Sequence, residues 1–353
     1  MGNSMSIHKR RTRLILAIVA ALLVSMAGKL PGIPGILGEV KAEPAKTEPV
    51  EDIYKNRMEL LQRISQLTAI PWYELAAVDQ YDRTLRKKSD TPAPAPLVGL
   101  RYTDPEWAGL VNPDAGDTNP LSILVFDGKG RDGNGNGTAN RSEDEDLLRT
   151  FMEETLKHGE GIEGWHKELA KRYENPRALE RIAQFSAIYL KFGRLDLNRY
   201  AFPLPISSSY SYRSTWGDRR GWGGRRIHEG TDLFAGYGVP VRSTCYGIIE
   251  QKGWNPFGGW RIGIRDLNNR YHYYAHLSGY AKGLQQGDIV EPGQTLGWVG
   301  SSGYGKPGTS GKFPPHLHFG LYKDNGHKDW AYDPYPSLKR WEREDRKRLN
   351  HKD

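Results

Sequence analysis

The chain is 353 residues long, enough for two domains beyond a targeting segment. Hydrophobic residues make up 37% and charged residues 26%, which excludes a disordered chain and a membrane-embedded one. The net charge of +8 suits an anionic polymer as partner but equally a solvated surface, so charge alone selects no function. One cysteine, Cys245, excludes an internal disulfide; it lies in the apolar run Val239 to Ile249 and reads as a buried structural residue.

The basic stretch His8 to Arg13 precedes an apolar run from Leu14 to Ala27, the arrangement of an export signal. The run is short for a transmembrane helix, and Val40-Lys41-Ala42 resembles a small-x-small cleavage site. Residues 1–42 are therefore expected to be a cleaved signal peptide or an N-terminal membrane anchor with its linker. A helical domain is expected over 43–200. Glu43 to Val50 opens it as a linker, and from Asp52 the apolar positions Ile53, Leu60, Leu61, Ile64 and Leu67 recur at helical spacing. Pro71 starts a second helix over 72–86. Ile70 to Val78 resembles the first helices of lysozyme-like lytic transglycosylases over about a dozen residues. Where those enzymes carry a catalytic glutamate this chain has Asp82, whose shorter side chain argues for a retained scaffold without that chemistry.

Thr91 to Pro96 alternates proline and reads as an extended spacer. The stretch 132–143 then fits the EF-hand loop pattern. Side-chain oxygens of Asp132, Asn134, Asn136 and Glu143 and the Thr138 carbonyl make it a candidate Ca²⁺ site, with Gly137 at the sharp turn. Upstream, Leu121 to Phe126 looks strand-like; downstream, Asp146 to Leu156 looks helical. Asn175 caps a further helix opened by Pro176, with Leu179, Ile182, Phe185, Tyr189 and Phe192 on its apolar face.

After Pro205 the pattern changes to short apolar runs between glycine-rich turns: 239–243, 247–251, 260–265, 271–276, 295–299 and 316–322. Close spacing without intervening helices predicts an antiparallel sheet. His316 and His318 are two apart, so a strand would present both imidazoles on one face. His228 and Asp232 flank Gly230, where a bend brings both side chains toward one ion. Two ring nitrogens, a carboxylate and one or two further histidines are the set that a hydrolytic zinc site needs.

In order along the chain stand His228…Asp232, Tyr274-Ala275-His276-Leu277-Ser278, Gly300…Gly303 and His316-Leu317-His318. This series resembles the lysostaphin-type zinc endopeptidases that cut peptidoglycan stem peptides or cross-bridges. Gly258 to Arg265 and Lys312 to His318 are similar to the sporulation L-Ala–D-Glu endopeptidases within that group. The resemblance implies a compact β domain with a groove over 201–338, and His228, Asp232 and His318 as Zn²⁺ ligands. It leaves His276 and His316 as catalytic histidines, with His316 the expected base and His276 orienting water or stabilising the oxyanion; the two roles are interchangeable at this level. His272 and His327 read as structural. Many members carry a tyrosine shortly before the first zinc histidine, and here the flank is Arg219 to Arg226. Its arginines, Arg226 among them, are candidates to grip a substrate carboxylate. Residues 339–353 read as a charged C-terminal tail.

The fold class expected is α+β, a helical domain followed by a mainly antiparallel β peptidase domain. The expected function is an exported, monomeric zinc endopeptidase of the cell wall, cutting L-Ala–D-Glu in spore cortex maturation with peptidoglycan as partner. The alternatives are the same chemistry at D-Ala–diaminopimelate or Gly-Gly, and a non-catalytic wall-binding scaffold. Nucleic acid is not expected as a partner, since it conflicts with export.

Overall fold

A computed structural model describes residues 50–86, 97–221, 224–324 and 326–350. The export segment and the Thr91–Pro96 spacer lie outside these residues. No helix among the described residues is long and apolar enough to cross a membrane. The chain divides into two compact units, Met1–Leu179 and Glu180–Asp353, so the boundary falls earlier than the expected break at 200.

The first unit is helical: α1 (Val50–Thr68), α2 (Trp72–Leu85), α3 (Asp104–Ala108), α4 (Pro120–Val125), α5 (Asp144–Leu156) and α6 (Gly161–Arg172). A seventh helix, α7 (Pro176–Phe192), runs across the boundary. Leu60, Leu61 and Ile64 of α1, Leu75 and Val78 of α2, and Leu148, Phe151 and Met152 of α5 are buried. Each such side chain stabilises by about 1.5–3 kcal/mol on full burial. Asp79 of α2 sits among them with Arg57 at 2.6 Å and Arg83 at 2.8 Å. Asp82 is buried and held by Tyr173 at 2.7 Å, Arg172 at 3.1 Å and the Arg101 amide at 2.9 Å. That carboxylate is committed to structure.

The segment expected as a strand before the 132–143 loop is instead α4. Asn119 caps it by accepting from the amides of Leu121 and Ser122, and Pro120 takes the first turn, so local capping outweighs the β-branched content. Within the loop Asp132 accepts from the amides of Gly135 and Gly137. Glu143 accepts from the side-chain amides of Asn134, Asn136 and Asn140. The side chains expected to face Ca²⁺ thus bond one another and the loop backbone.

Among the described residues the second unit is built on twelve strands. In chain order they are β1 (Tyr210–Tyr212), β2 (Arg219–Arg220), β3 (Arg226–Ile227), β4 (Thr231–Ala235), β5 (Pro240–Arg242) and β6 (Gly247–Asn255). Then come β7 (Gly259–Asp266), β8 (Arg270–Tyr280), β9 (Ile289–Val290), β10 (Thr295–Val299), β11 (His316–Asp324) and β12 (Asp329–Tyr332). The main sheet runs β1-β4-β11-β8-β7-β6-β9, every pair antiparallel; β10 joins β5 to β8, β12 lies beside β11, and β2–β3 form a separate hairpin. One side carries the core, where Leu233, Ile262, Ile264, Tyr274, Leu317, Phe319 and Leu321 are buried together. The opposite side of β4, β8 and β11 floors a groove.

The last residues are no separate tail. Tyr335–Asn350 is a helix, α8, whose Leu338 and Trp341 enter the core. Trp341 stacks on Tyr200 at 5.1 Å, Glu342 accepts from the hydroxyls of Tyr210 and Tyr212, and Asp345 accepts from the Phe202 amide. Only two of its residues are buried, so the sequence of α8 shows mostly its charged outer face.

Candidate active site

On β4 and β11, Asp232 stands directly opposite His318, and His316 opposite Phe234. Opposed residues of an antiparallel pair share a face, and so do residues two apart on one strand. Asp232, His316 and His318 therefore all look into the groove. His228 joins them from the turn before β4. Its Nδ1 donates to the Thr215 carbonyl at 2.7 Å, which leaves a lone pair on Nε2. That Nε2 lies 2.8 Å from His318 Nδ1 and 3.0 Å from Asp232 Oδ1, with His318 Nδ1 at 3.1 Å from the same oxygen. Gly230 has no positive φ; it is small because a Cβ there would come within 2.6 Å of the His318 ring.

Three donor atoms of zinc-ligand type thus converge. Around a tetrahedral zinc with bonds of about 2.0–2.1 Å, ligand atoms stand about 3.3 Å apart, close to the separations found here. Burial raises the Asp232 pKa, but the His228 and His318 imidazoles against its oxygen outweigh it and hold the group well below the usual carboxylate range. The side chain is an anion. Its second oxygen, Oδ2, accepts from Arg220 Nη2 at 2.5 Å, leaving Oδ1 to face the two imidazoles.

The remaining pair flanks this cluster. His316 Nδ1 donates to the Pro314 carbonyl at 2.8 Å, and His276 Nδ1 donates to the Ser302 carbonyl at 2.8 Å, so each presents Nε2 to the groove. Their ring centres are 4.8 Å apart. Burial lowers both pKa values; Asp232, 3.7 Å from His316 Nε2, offsets this for His316, while the charges of His316 and His318 push His276 down further. Both are neutral bases with free Nε2 lone pairs at neutral pH.

How His276 reaches the groove is not a matter of alternation. On β8, His272 and Tyr274 point into the core while Tyr271 and Tyr273 face the groove, so simple alternation would send His276 to the core as well. Between Trp260↔Leu277 and Ile262↔Tyr274 the register shifts, three steps on β8 against two on β7. This bulge, with His276 at φ 64° and its amide bonded to the Gly258 carbonyl, turns the imidazole outward. Ser302 locks the arrangement, since its hydroxyl donates to the Leu277 carbonyl at 2.6 Å and accepts from the Trp260 amide at 3.0 Å. His272, by contrast, is sealed between Thr244 at 2.7 Å and Asp266 at 3.1 Å, away from the groove.

The groove encloses about 780 Å³, and Arg226 lines it with its guanidinium 5.1 Å above the Phe257 ring. Sequence reasoning missed Thr215, Arg220, Ser302 and Arg261. A lone threonine or serine whose backbone carbonyl orients a histidine leaves no sequence signal. Arg220 stood in a run of arginines with nothing to single it out. Arg261 sat inside a run that read as a strand and as part of a family resemblance, with no role for the arginine itself.

The model of peptidase family M23 matches residues 226–333, the stretch that carries these strands. The L-Ala–D-Glu endopeptidase of Bacillus subtilis (strain 168) is 55% identical over 294 residues, 83% of this chain and 90% of that protein. Lysostaphin of Staphylococcus staphylolyticus is 39% identical over 116 residues, 32% of this chain and 22% of that protein. Among solved structures, a putative glycyl-glycine endopeptidase of Ruminococcus gnavus is 38% identical with a TM-score of 0.37, covering 50% of this chain and 70% of that one. With similarity of this degree spanning both units, and with the matched segment enclosing the converging His-Asp-His cluster, the chain belongs to peptidase family M23, a family of zinc-dependent peptidases.

Proposed function

We propose that this enzyme hydrolyses the L-Ala–D-Glu bond of peptidoglycan stem peptides, outside the cytoplasmic membrane and during spore cortex maturation. The observation that carries the bond assignment is the reach of the similarity to the Bacillus subtilis endopeptidase, which extends through the helical unit, whereas lysostaphin shares only 32% of the chain. His228 through Nε2, Asp232 through Oδ1 and His318 through Nδ1 would hold the zinc. When bound, zinc acts as a Lewis acid on the scissile carbonyl and makes water more acidic. The rest falls to the side chains. His316 takes the proton of the attacking water on Nε2 and delivers it to the leaving amine, because Asp232 at 3.7 Å favours the imidazolium that forms. His276 has no carboxylate so close, and its Nδ1 proton is committed to Ser302; neutral, it can only accept at Nε2. It is suited to orient the water. The fully assembled donor set argues against a scaffold that only binds the wall.

Muropeptides of defined stem sequence, incubated with the full chain with and without a zinc chelator and read by mass spectrometry, test this reading. Chelator-sensitive products that leave a single L-Ala on muramic acid are expected. Cleavage at D-Ala–diaminopimelate or within glycine bridges would keep the chemistry and overturn the bond.

A further inference from the structure

Next to the metal cluster the groove holds two guanidiniums that have no carboxylate partner among the described residues. Arg226 comes from the β2–β3 hairpin and Arg261 from β7, and the Nε atoms of both are buried without a hydrogen-bond partner. Tyr273 links them to the catalytic centre. Its ring meets the His318 ring edge-on at 5.8 Å, and Arg226, Arg261, Tyr273 and His318 all line the one groove. The groove's acids are otherwise occupied. Asp232 is held by Arg220 and the histidines, Asp329 is held by Arg265 at 3.1 Å, and Glu229 accepts from Tyr322 at 3.5 Å. Half-buried guanidiniums that line a groove without a carboxylate partner are placed to take one from a ligand.

We infer that Arg226 and Arg261 form a carboxylate subsite that recognises the free carboxylate of the D-Glu residue on the leaving side of the scissile bond. The inference rests on the bond assignment proposed above. D-Glu has two carboxyl groups, and the chain continues through one, so the other is always free. The α-carboxylate is two bonds from the scissile nitrogen, so it enters the same groove as the bond that is cut. Two guanidiniums with planar donor forks match such a group. Arg220 differs from this pair in already being bonded to Asp232 through Nη2. The pair thus acts in specificity and places the leaving residue, while proton transfer stays with the histidines.

The test compares two stems, one with D-Glu and one with D-isoglutamine, whose carboxylate is replaced by a neutral amide. Steady-state kinetics are measured on the full-length zinc-loaded enzyme and on Arg226→Gln, Arg261→Gln and Arg261→Lys. The wild type is expected to favour the acid by ~10–100-fold in kcat/KM, the range for losing charge-assisted hydrogen bonds. Each Gln variant should lose most of that preference, with a rise in KM on the acid that exceeds any change on the amide and with zinc content unchanged. Arg261→Lys should recover part. Equal wild-type rates on the two stems would overturn the subsite, and so would variants that lose activity equally on both, which marks a structural role. Cleavage of both stems only at another bond would overturn the bond assignment and the subsite with it, a result that product mass alone distinguishes.

Discussion

His276 and His316 share one groove, and each has its Nδ1 proton tied to a backbone carbonyl, yet only His316 has a carboxylate within 4 Å of its free nitrogen, at 3.7 Å. This difference separates a base from a water-orienting group. His316→Ala should lower kcat by about 10²–10⁴-fold with zinc content unchanged, and His276→Ala should cost less. Kinetics paired with metal analysis of the same samples checks the order; a larger loss for His276→Ala would exchange the roles. Arg220 acts through Asp232, whose Oδ2 it holds at 2.5 Å. Removing such a partner typically costs 10–100-fold in metal affinity or activity, and Arg220→Ala is expected to lose about that in zinc affinity, read by competition with a chelator. The sequence showed residues able to bind zinc, and the resemblance of four motifs in order, rather than any single histidine, singled out His228, Asp232, His276, His316 and His318. Their orienting partners were not legible, since the atoms of Thr215, Ser302 and Pro314 that aim the histidines are backbone carbonyls, which every residue has.

At the scale of elements, glycines and one bulge set the site. Gly230 passes over His318 with no space for a methyl group, so Gly230→Ala should displace the ligand ring and lower zinc affinity, measurable by metal titration. The bulge in β8 shows why a two-residue period misreads His272 and His276 as equivalents; a register shift is a property of paired strands and is invisible in one. The long strands were readable from their apolar runs, whereas β1, β3 and β12 are short and half-exposed and show no such run. Helix α8 was misread for the opposite reason. Eleven polar residues among the helix's sixteen hid the two that matter, and Trp341→Ala is expected to destabilise the second unit by about 3–5 kcal/mol in denaturant unfolding.

For the whole molecule, the helical unit has its own buried polar network. Burial works to raise the Asp79 pKa, but Arg83 and Arg57 overcome it and the group stays below its ordinary value. A carboxylate lowered in the folded state stabilises above its unfolded pKa of about 3.9 and loses that contribution as pH falls through the folded value. Asp79→Asn removes the carboxylate that Arg57 and Arg83 share and should cost about 3–5 kcal/mol near neutral pH. Amide hydrogen exchange of α1 and α2 in the full chain should show the gap to wild type narrowing below about pH 3.9. The second unit carries the chemistry, and its claim to zinc rests on three side chains whose donor atoms meet within 3.1 Å. The most direct measurement is zinc stoichiometry together with stem-peptide cleavage, on identical preparations of the wild type, Asp232→Ala and His318→Ala. One tightly held zinc in the wild type, lost with activity in both variants while the fold persists by circular dichroism, is the predicted result. Full zinc retention or undiminished cleavage in either variant would contradict the assignment.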